Sequence, residues 1–141
     1  MTTTTTAVPG RRRRALAQAA LGATLLTTGT AHLTVQRQEF QAQVPSWFPV
    51  DADLVVLVSG VVELGFGAAL VATWRQPWRR RVGVLAALFF VVIFPGNIAQ
   101  FLEHKSAFGL DTDTKRALRL LGQPVLVAWA WLSTRSCPPL S

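Results

Sequence analysis

Residues 54–74 read LVVLVSGVVELGFGAALVATW, twenty-one positions with a single ionisable side chain, Glu63, near the middle. A helix needs about 20 predominantly apolar residues to cross the hydrocarbon core of a bilayer, and this stretch has that length and composition. Three further segments approach it, 15–33, 82–102 and 117–134, with 19, 21 and 18 residues. The four segments take up 79 of 141 positions, which leaves no material for a soluble domain. None of them alternates polar with apolar residues at period two, as the strands of a membrane barrel do. Helices satisfy their own backbone groups in lipid, and short connections join neighbours. The reading is therefore an all-α fold, a four-transmembrane-helix antiparallel bundle in a multi-pass membrane protein.

Composition agrees. Half of the chain is hydrophobic and 15% is charged, against roughly 25% in ordinary globular proteins. Fourteen Lys and Arg against seven Asp and Glu give +7, but the basic residues fall in clusters between apolar runs rather than along one face. Nine of them, Arg11 to Arg14, Arg75, Arg79 to Arg81 and Arg135, lie with no acid at one end of the expected bundle. The other end carries five basic and six acidic residues. The positive-inside rule accounts for the whole excess and puts both termini in the cytoplasm, so nucleic acid is not an expected partner. Trp74, Trp78, Trp129 and Trp131 fall near the inner boundary, and Trp47 and Phe48 in the outer loop beside Pro45 and Pro49.

The domain reading is a basic, Thr-rich cytoplasmic tail over 1–14, expected to be disordered, then a membrane domain over 15–134 and a short cytoplasmic tail over 135–141. The basic run before an apolar stretch also describes a secretory signal peptide, with Gly29-Thr30-Ala31 as its cleavage site. Small residues at Ala15, Ala19, Ala23, Thr27 and Ala31 favour a retained helix that packs closely on a neighbour. Cys137 is the single cysteine, which excludes an intrachain disulfide or a CxxC pair.

Polar groups inside the expected spans mark the candidate site. Ionisable side chains there are expensive, so each asks for a partner or a function. Gly60, Glu63 and Gly67 share a helix face, with the glycines admitting a neighbour and the carboxyl pointing into the bundle. Arg119 and Gln123 share a face of the fourth helix. Depth leaves Glu63 about six residues, roughly 9 Å, below Arg119, so their meeting needs an extended arginine or a bridging water. In the third helix Phe94-Pro95-Gly96-Asn97 predicts a kink, after which Asn97, Gln100 and His104 follow at i, i+3 and i+7. Pro124 repeats the device beside Gln123, and His32 at the outer end of the first helix completes a polar pocket open to the outside. The candidate ligand-binding set is His32, Glu63, Asn97, Gln100, Arg119 and Gln123. Against it stands a purely structural reading, in which the amides glue helices together, the histidines are solvated at the interface, and Glu63 with Arg119 is a buried ion pair.

A metal site is not expected, because His32, His104 and Glu63 scatter in depth and no HxxxH or ExxH spacing occurs. No catalytic signature is present either, neither GxSxG, nor a P-loop, nor GxGxxG, so the chain does not read as an enzyme on its own.

The run Thr28-Gly29-Thr30-Ala31-His32-Leu33, Phe40 with Val44-Pro45-Ser46-Trp47-Phe48-Pro49, and Ser59-Gly60-Val61-Val62-Glu63-Leu64-Gly65 resembles the DoxX-like family of small four-helix membrane proteins. Phe94-Pro95-Gly96-Asn97 and Arg119 with Gln123-Pro124 continue the resemblance, while Leu33 and Gly96 depart from it. The resemblance implies a shared polar pocket at His32, Glu63, Asn97, Arg119 and Gln123, and a quinone- or thiol-linked redox connection. The leading expectation is thus an accessory subunit in the plasma membrane of a prokaryote, with a quinone as possible cofactor and a redox enzyme subunit as possible partner. A small proton-coupled transporter, functioning as a homodimer, is the second reading. A membrane anchor that docks a soluble enzyme on Arg79 to Arg81 is the third.

Overall fold

A computed structural model describes residues 9–136; the expectations for the extreme N-terminal tail and for Cys137 lie outside the described residues. The chain forms five helices, α1 (Pro9–Leu33), α2 (Arg37–Gln41), α3 (Ala52–Ala72), α4 (Trp78–Leu102) and α5 (Asp113–Thr134), with no strand among the described residues. The fold is all-helical, as expected. α1 begins at Pro9 rather than Ala15, so its first turns carry Arg11 to Arg14. The Asp51 side chain accepts from the Leu54 N–H at 3.1 Å and starts α3, and Thr112 does the same for Lys115 at the head of α5, each satisfying an amide that a helix start leaves open.

Of the four expected crossings, α3 and α4 are long and apolar enough to cross a membrane. α1 and α5 are long but mixed in composition. α1 carries its arginines and a series of threonines, and α5 opens with Asp113, Lys115, Arg116 and Arg119.

The four long helices run antiparallel. α1 packs along α3, α5 along α4, and α1 meets α5, while α3 and α4 touch only sparsely. The α1/α3 seam is set by two glycine pairs. A Cβ on Gly67 would stand 2.9 Å from the Gly22 carbonyl oxygen, and one on Gly29 would stand 2.9 Å from that of Gly60. The expected stripe of small residues is not this seam, since Ala23 and Thr27 are exposed. The reason is helical geometry: a spacing of four overshoots one turn by about 40° each step, whereas a spacing of seven, as in Gly22/Gly29 and Gly60/Gly67, drifts only about 20° from two turns.

Leu21, Leu25, Leu70, Ala86, Ala87, Phe90 and Ala130 form the buried apolar core, which fills the half of the bundle nearer the chain termini. That end is closed by Arg79. It is buried, bonds the Gln18 side-chain oxygen, and donates to the Ser133 carbonyl at 2.7 Å. Gln18 in turn donates to the Leu70 and Thr73 carbonyls at 2.7 and 2.9 Å. Arg79 is therefore part of the bundle and not of an arginine-rich docking surface. The helix α4 continues through Pro95. Gly96, expected to loosen that turn, instead admits the loop before α3: a Cβ there would stand 2.3 Å from the Gln43 carbonyl oxygen.

Candidate functional site

Above the apolar core the bundle opens into a polar cavity of about 500 Å³. All four long helices line it, α1 through Thr28 and His32, α3 through Ser59 and Glu63, α4 through Phe90 and Asn97, and α5 through Arg119 and Gln123. Five of the six candidate residues thus share one cavity. Gln100 does not. It is buried at the end of α4 and its amide reaches the Lys105 carbonyl at 3.5 Å. His104, expected beyond it on the same line, is turned out of the bundle and pairs with Asp113 at 2.8 Å.

Polar groups within the cavity pair inside their own half of the bundle. Thr28 donates to Glu63 Oε2 at 2.6 Å, and His32 Nδ1 lies 3.7 Å from Glu63 Oε1 and 3.4 Å from the Ser59 hydroxyl. On the other side Asn97 Nδ2 donates to Gln123 Oε1 at 3.1 Å, and Gln123 Nε2 donates to the Phe90 carbonyl at 2.7 Å. Glu63 and Arg119 face the same space, and among the described residues no ion pair within 4.0 Å joins them. Among the described residues, buried polar side-chain atoms without a hydrogen-bond partner are three in number: His32 Nε2, Gln43 Nε2 and Asn97 Oδ1. All three side chains line this cavity. Unmade hydrogen bonds at buried groups cost about 1–3 kcal/mol each, so a site that gathers them is one in which a polar guest is stabilised.

A roof covers the end away from Arg79. Phe40 of α2 stands edge-on over the His32 ring at 3.5 Å between centroids, and Phe108 meets Phe40 at 4.6 Å. Phe108 holds a positive φ of 54°, uncommon for a bulky residue, and its N–H donates to the Glu39 carboxylate at 2.5 Å. Lys105 ties the two loops, with its ammonium 2.7 Å from the Val44 carbonyl and 2.8 Å from Glu103. Ser46 donates its backbone N–H to Glu103 at 3.1 Å and its hydroxyl as well. Bonds from Lys105 first and Ser46 second hold the Glu103 carboxyl at a pKa of about 2. Arg37 donates to the Asp53 carboxylate at the other edge of the roof.

Thr28 and Ser59 were not among the expected site residues. Each stands one helical turn before a candidate, Thr28 before His32 and Ser59 before Glu63, and this i, i+4 spacing of polar groups in apolar helices is the signal that finds them. Phe40, Gln43 and Phe108 lie in the roof, where no periodicity marks them. Among the described residues no three His, Cys, Asp or Glu side chains gather closely enough to hold a metal ion.

No curated protein and no solved structure matches the chain. The profile of a protein family, described as a domain of unknown function (DUF8561), matches residues 21–134, a range that holds every cavity residue named above. This overturns the DoxX-like assignment. The motifs behind it, a histidine after small residues, a glycine one turn before a glutamate, and a proline before an asparagine, are short and serve helix packing in any small polar-cored bundle. The chain belongs to the DUF8561 family.

Proposed function

We propose that this chain is a four-helix protein of a prokaryotic plasma membrane, with both termini cytoplasmic, whose cavity binds the head group of a quinone-like molecule as an accessory subunit of a redox system. The observation that carries this reading is that His32, Gln43 and Asn97, whose Nε2, Nε2 and Oδ1 atoms are buried and unpartnered, all line one cavity. They offer a donor, an acceptor and a ring nitrogen of either role, which suits a molecule whose oxygens accept in one redox state and donate in the other. Arg119 adds a cation, and Phe40, Phe90 and Phe108 add aromatic walls for a flat ring.

Four crossings are favoured by the charge pattern, since Arg80, Arg81 and Arg135 sit with Arg11 to Arg14 at the end opposite the roof. The threonines of α1 do not oppose a crossing. Thr24, Thr27 and Thr30 donate to the carbonyls of Ala20, Ala23 and Leu26 at 2.8, 2.9 and 2.7 Å, so their hydroxyls are satisfied within the helix.

The test is quinone content after native extraction, together with binding of a benzoquinone in nanodiscs followed by tryptophan quenching. N97L removes an acceptor and a helix-bridging donor, and with each hydrogen bond contributing about 0.5–1.5 kcal/mol it weakens binding by about tenfold. A protein that carries no quinone and binds none, or an N97L variant that binds as well as the parent, overturns the reading.

A second reading, proton-coupled transport, is favoured by one observation: no hydrogen bond among the described residues crosses the cavity between α1/α3 and α4/α5. Two halves with no polar tie across the cavity have freedom to rock about the apolar core below it. Proteoliposome flux that depends on pH and is lost in E63Q supports it, and flux indifferent to both excludes it.

A further inference from the structure

Phe90 and Gln123 belong to two hollows. On one side they line the polar cavity, and on the other they begin a groove of about 520 Å³ between α4 and α5. Beyond Gln123 the groove is lined by apolar side chains, with Phe94 on α4 and Val127, Trp131 and Leu132 on α5 among them. It follows α5 from Gln123 to Leu132, nine residues or roughly 14 Å along the axis. Its rims face outward: Val91 is 54%, Trp131 44% and Leu132 46% exposed.

We propose that this groove seats the apolar tail of the molecule whose head occupies the polar cavity, and that the molecule enters sideways between α4 and α5. The inference rests on the head-group reading above and specifies its ligand as an amphiphile with an isoprenoid or alkyl chain. Three observations carry it. The two hollows adjoin, with Phe90 and Gln123 in the wall of each. The roof is held by the bonds of Lys105, Glu103 and Ser46, whereas the groove opens on the outward face of the bundle. Gln123, a flexible side chain in the wall between the hollows, is held by its bonds to Asn97 and to the Phe90 carbonyl. Rotation of that amide joins the groove to the cavity and frees the Asn97 donor to meet the arriving head.

The experiment compares two probes with the same dimethoxybenzoquinone head, one without a tail and one with a decyl tail. Both are titrated into the full chain in nanodiscs, with affinity expressed as mole fraction in the lipid so that partitioning cancels. The tailed probe is expected to bind about tenfold more tightly, below the roughly hundredfold or more of joining two sites, because its tail leaves one hydrocarbon environment for another. A128F, which fills the groove, narrows that ratio to below twofold, while N97L weakens both probes in parallel. A photoreactive group at the end of the tail guards against a misfolded variant: on the unaltered chain it is expected to label Phe94 and residues 127–132. Equal binding of the two probes, labels scattered over the outward helix faces, or a second copy crosslinked into the groove overturns the tail site and leaves the head site standing. Failure of both probes to bind overturns the head-group reading, and the tail site falls with it.

Discussion

Replacing Gly67 and Gly65 by alanine, two positions apart on one helix, is expected to move stability in opposite directions. At Gly67 the new Cβ would stand 2.8 Å from Leu26 Cγ, 2.9 Å from the Gly22 oxygen and 2.9 Å from the Leu26 nitrogen. Ordinary contact begins near 3.4 Å, and two of these three atoms are backbone, so turning a side chain does not relieve the clash. α1 must retreat from α3 by about half an ångström, and overpacking of this kind costs about 1–3 kcal/mol. Alanine returns about 0.8–1 kcal/mol through its better helix propensity. The net loss of up to about 2 kcal/mol lowers the folded-to-unfolded ratio by up to about thirtyfold. At Gly65 a Cβ meets nothing within 4 Å, so only the propensity gain remains and G65A is expected to be more stable than the parent by up to about 1 kcal/mol. Reversible unfolding by SDS in mixed micelles, followed by far-UV circular dichroism, measures both. If G67A unfolds at or above the midpoint of the parent, the glycine seam does not set the α1/α3 distance.

Arg79 and Arg80 are neighbours in sequence and opposites in structure. R79L leaves the buried Gln18 oxygen and Ser133 carbonyl short of a donor, at about 1–3 kcal/mol for each unsatisfied group, whereas R80L stays within about 0.5 kcal/mol in the same titration; equal effects refute the closure described for that end. The roof is expected to loosen in acid. The Glu103 carboxyl lies at about 2 in the folded chain against an ordinary 4.5, so its contribution is complete above pH 4.5 and is lost as pH falls toward 2. Hydrogen exchange over residues 37–46, corrected for the intrinsic rate, is expected to accelerate between pH 5 and 2.5 in the parent and to change less with pH in E103Q; protection that persists in the parent at the lower pH refutes the latch.

The helical architecture was legible because apolar runs of 18 to 21 residues leave little choice of secondary structure. That five of the six candidate residues line one cavity was legible for a related reason: a polar side chain in such a run is conspicuous, and the bundle has an interior to receive it. Gln100 falls outside the cavity because spacing alone does not separate the interior from the end of a helix, and it lies at the end, where α4 gives way to the roof. The buried role of Arg79 was hidden among three consecutive arginines, whose partners at Gln18 and Ser133 are 61 and 54 residues away. The roof was illegible, since Phe40 and Phe108 meet through loop conformations, one with positive φ, that no periodicity encodes. The family assignment erred for a different reason: short motifs shaped by helix packing recur across unrelated bundles.

The absence of hydrogen bonds across the cavity divides the molecule into two hairpins, one built from α1 and α3, the other from α4 and α5. Around the cavity each bonds its polar side chains among its own helices, Thr28 with Glu63 in one and Asn97 with Gln123 in the other. Covalently they meet only through residues 73–77, and their polar clasps lie at the two ends, Gln18 with Arg79 below and Ser46 with Glu103 above. A chain organised in this way behaves as two cassettes rather than one mosaic. Gene fusion, splitting or exchange within residues 73–77 keeps each cassette's internal bonding intact, and a guest that spans from Glu63 to Gln123 becomes the mortise pin that locks one cassette to the other.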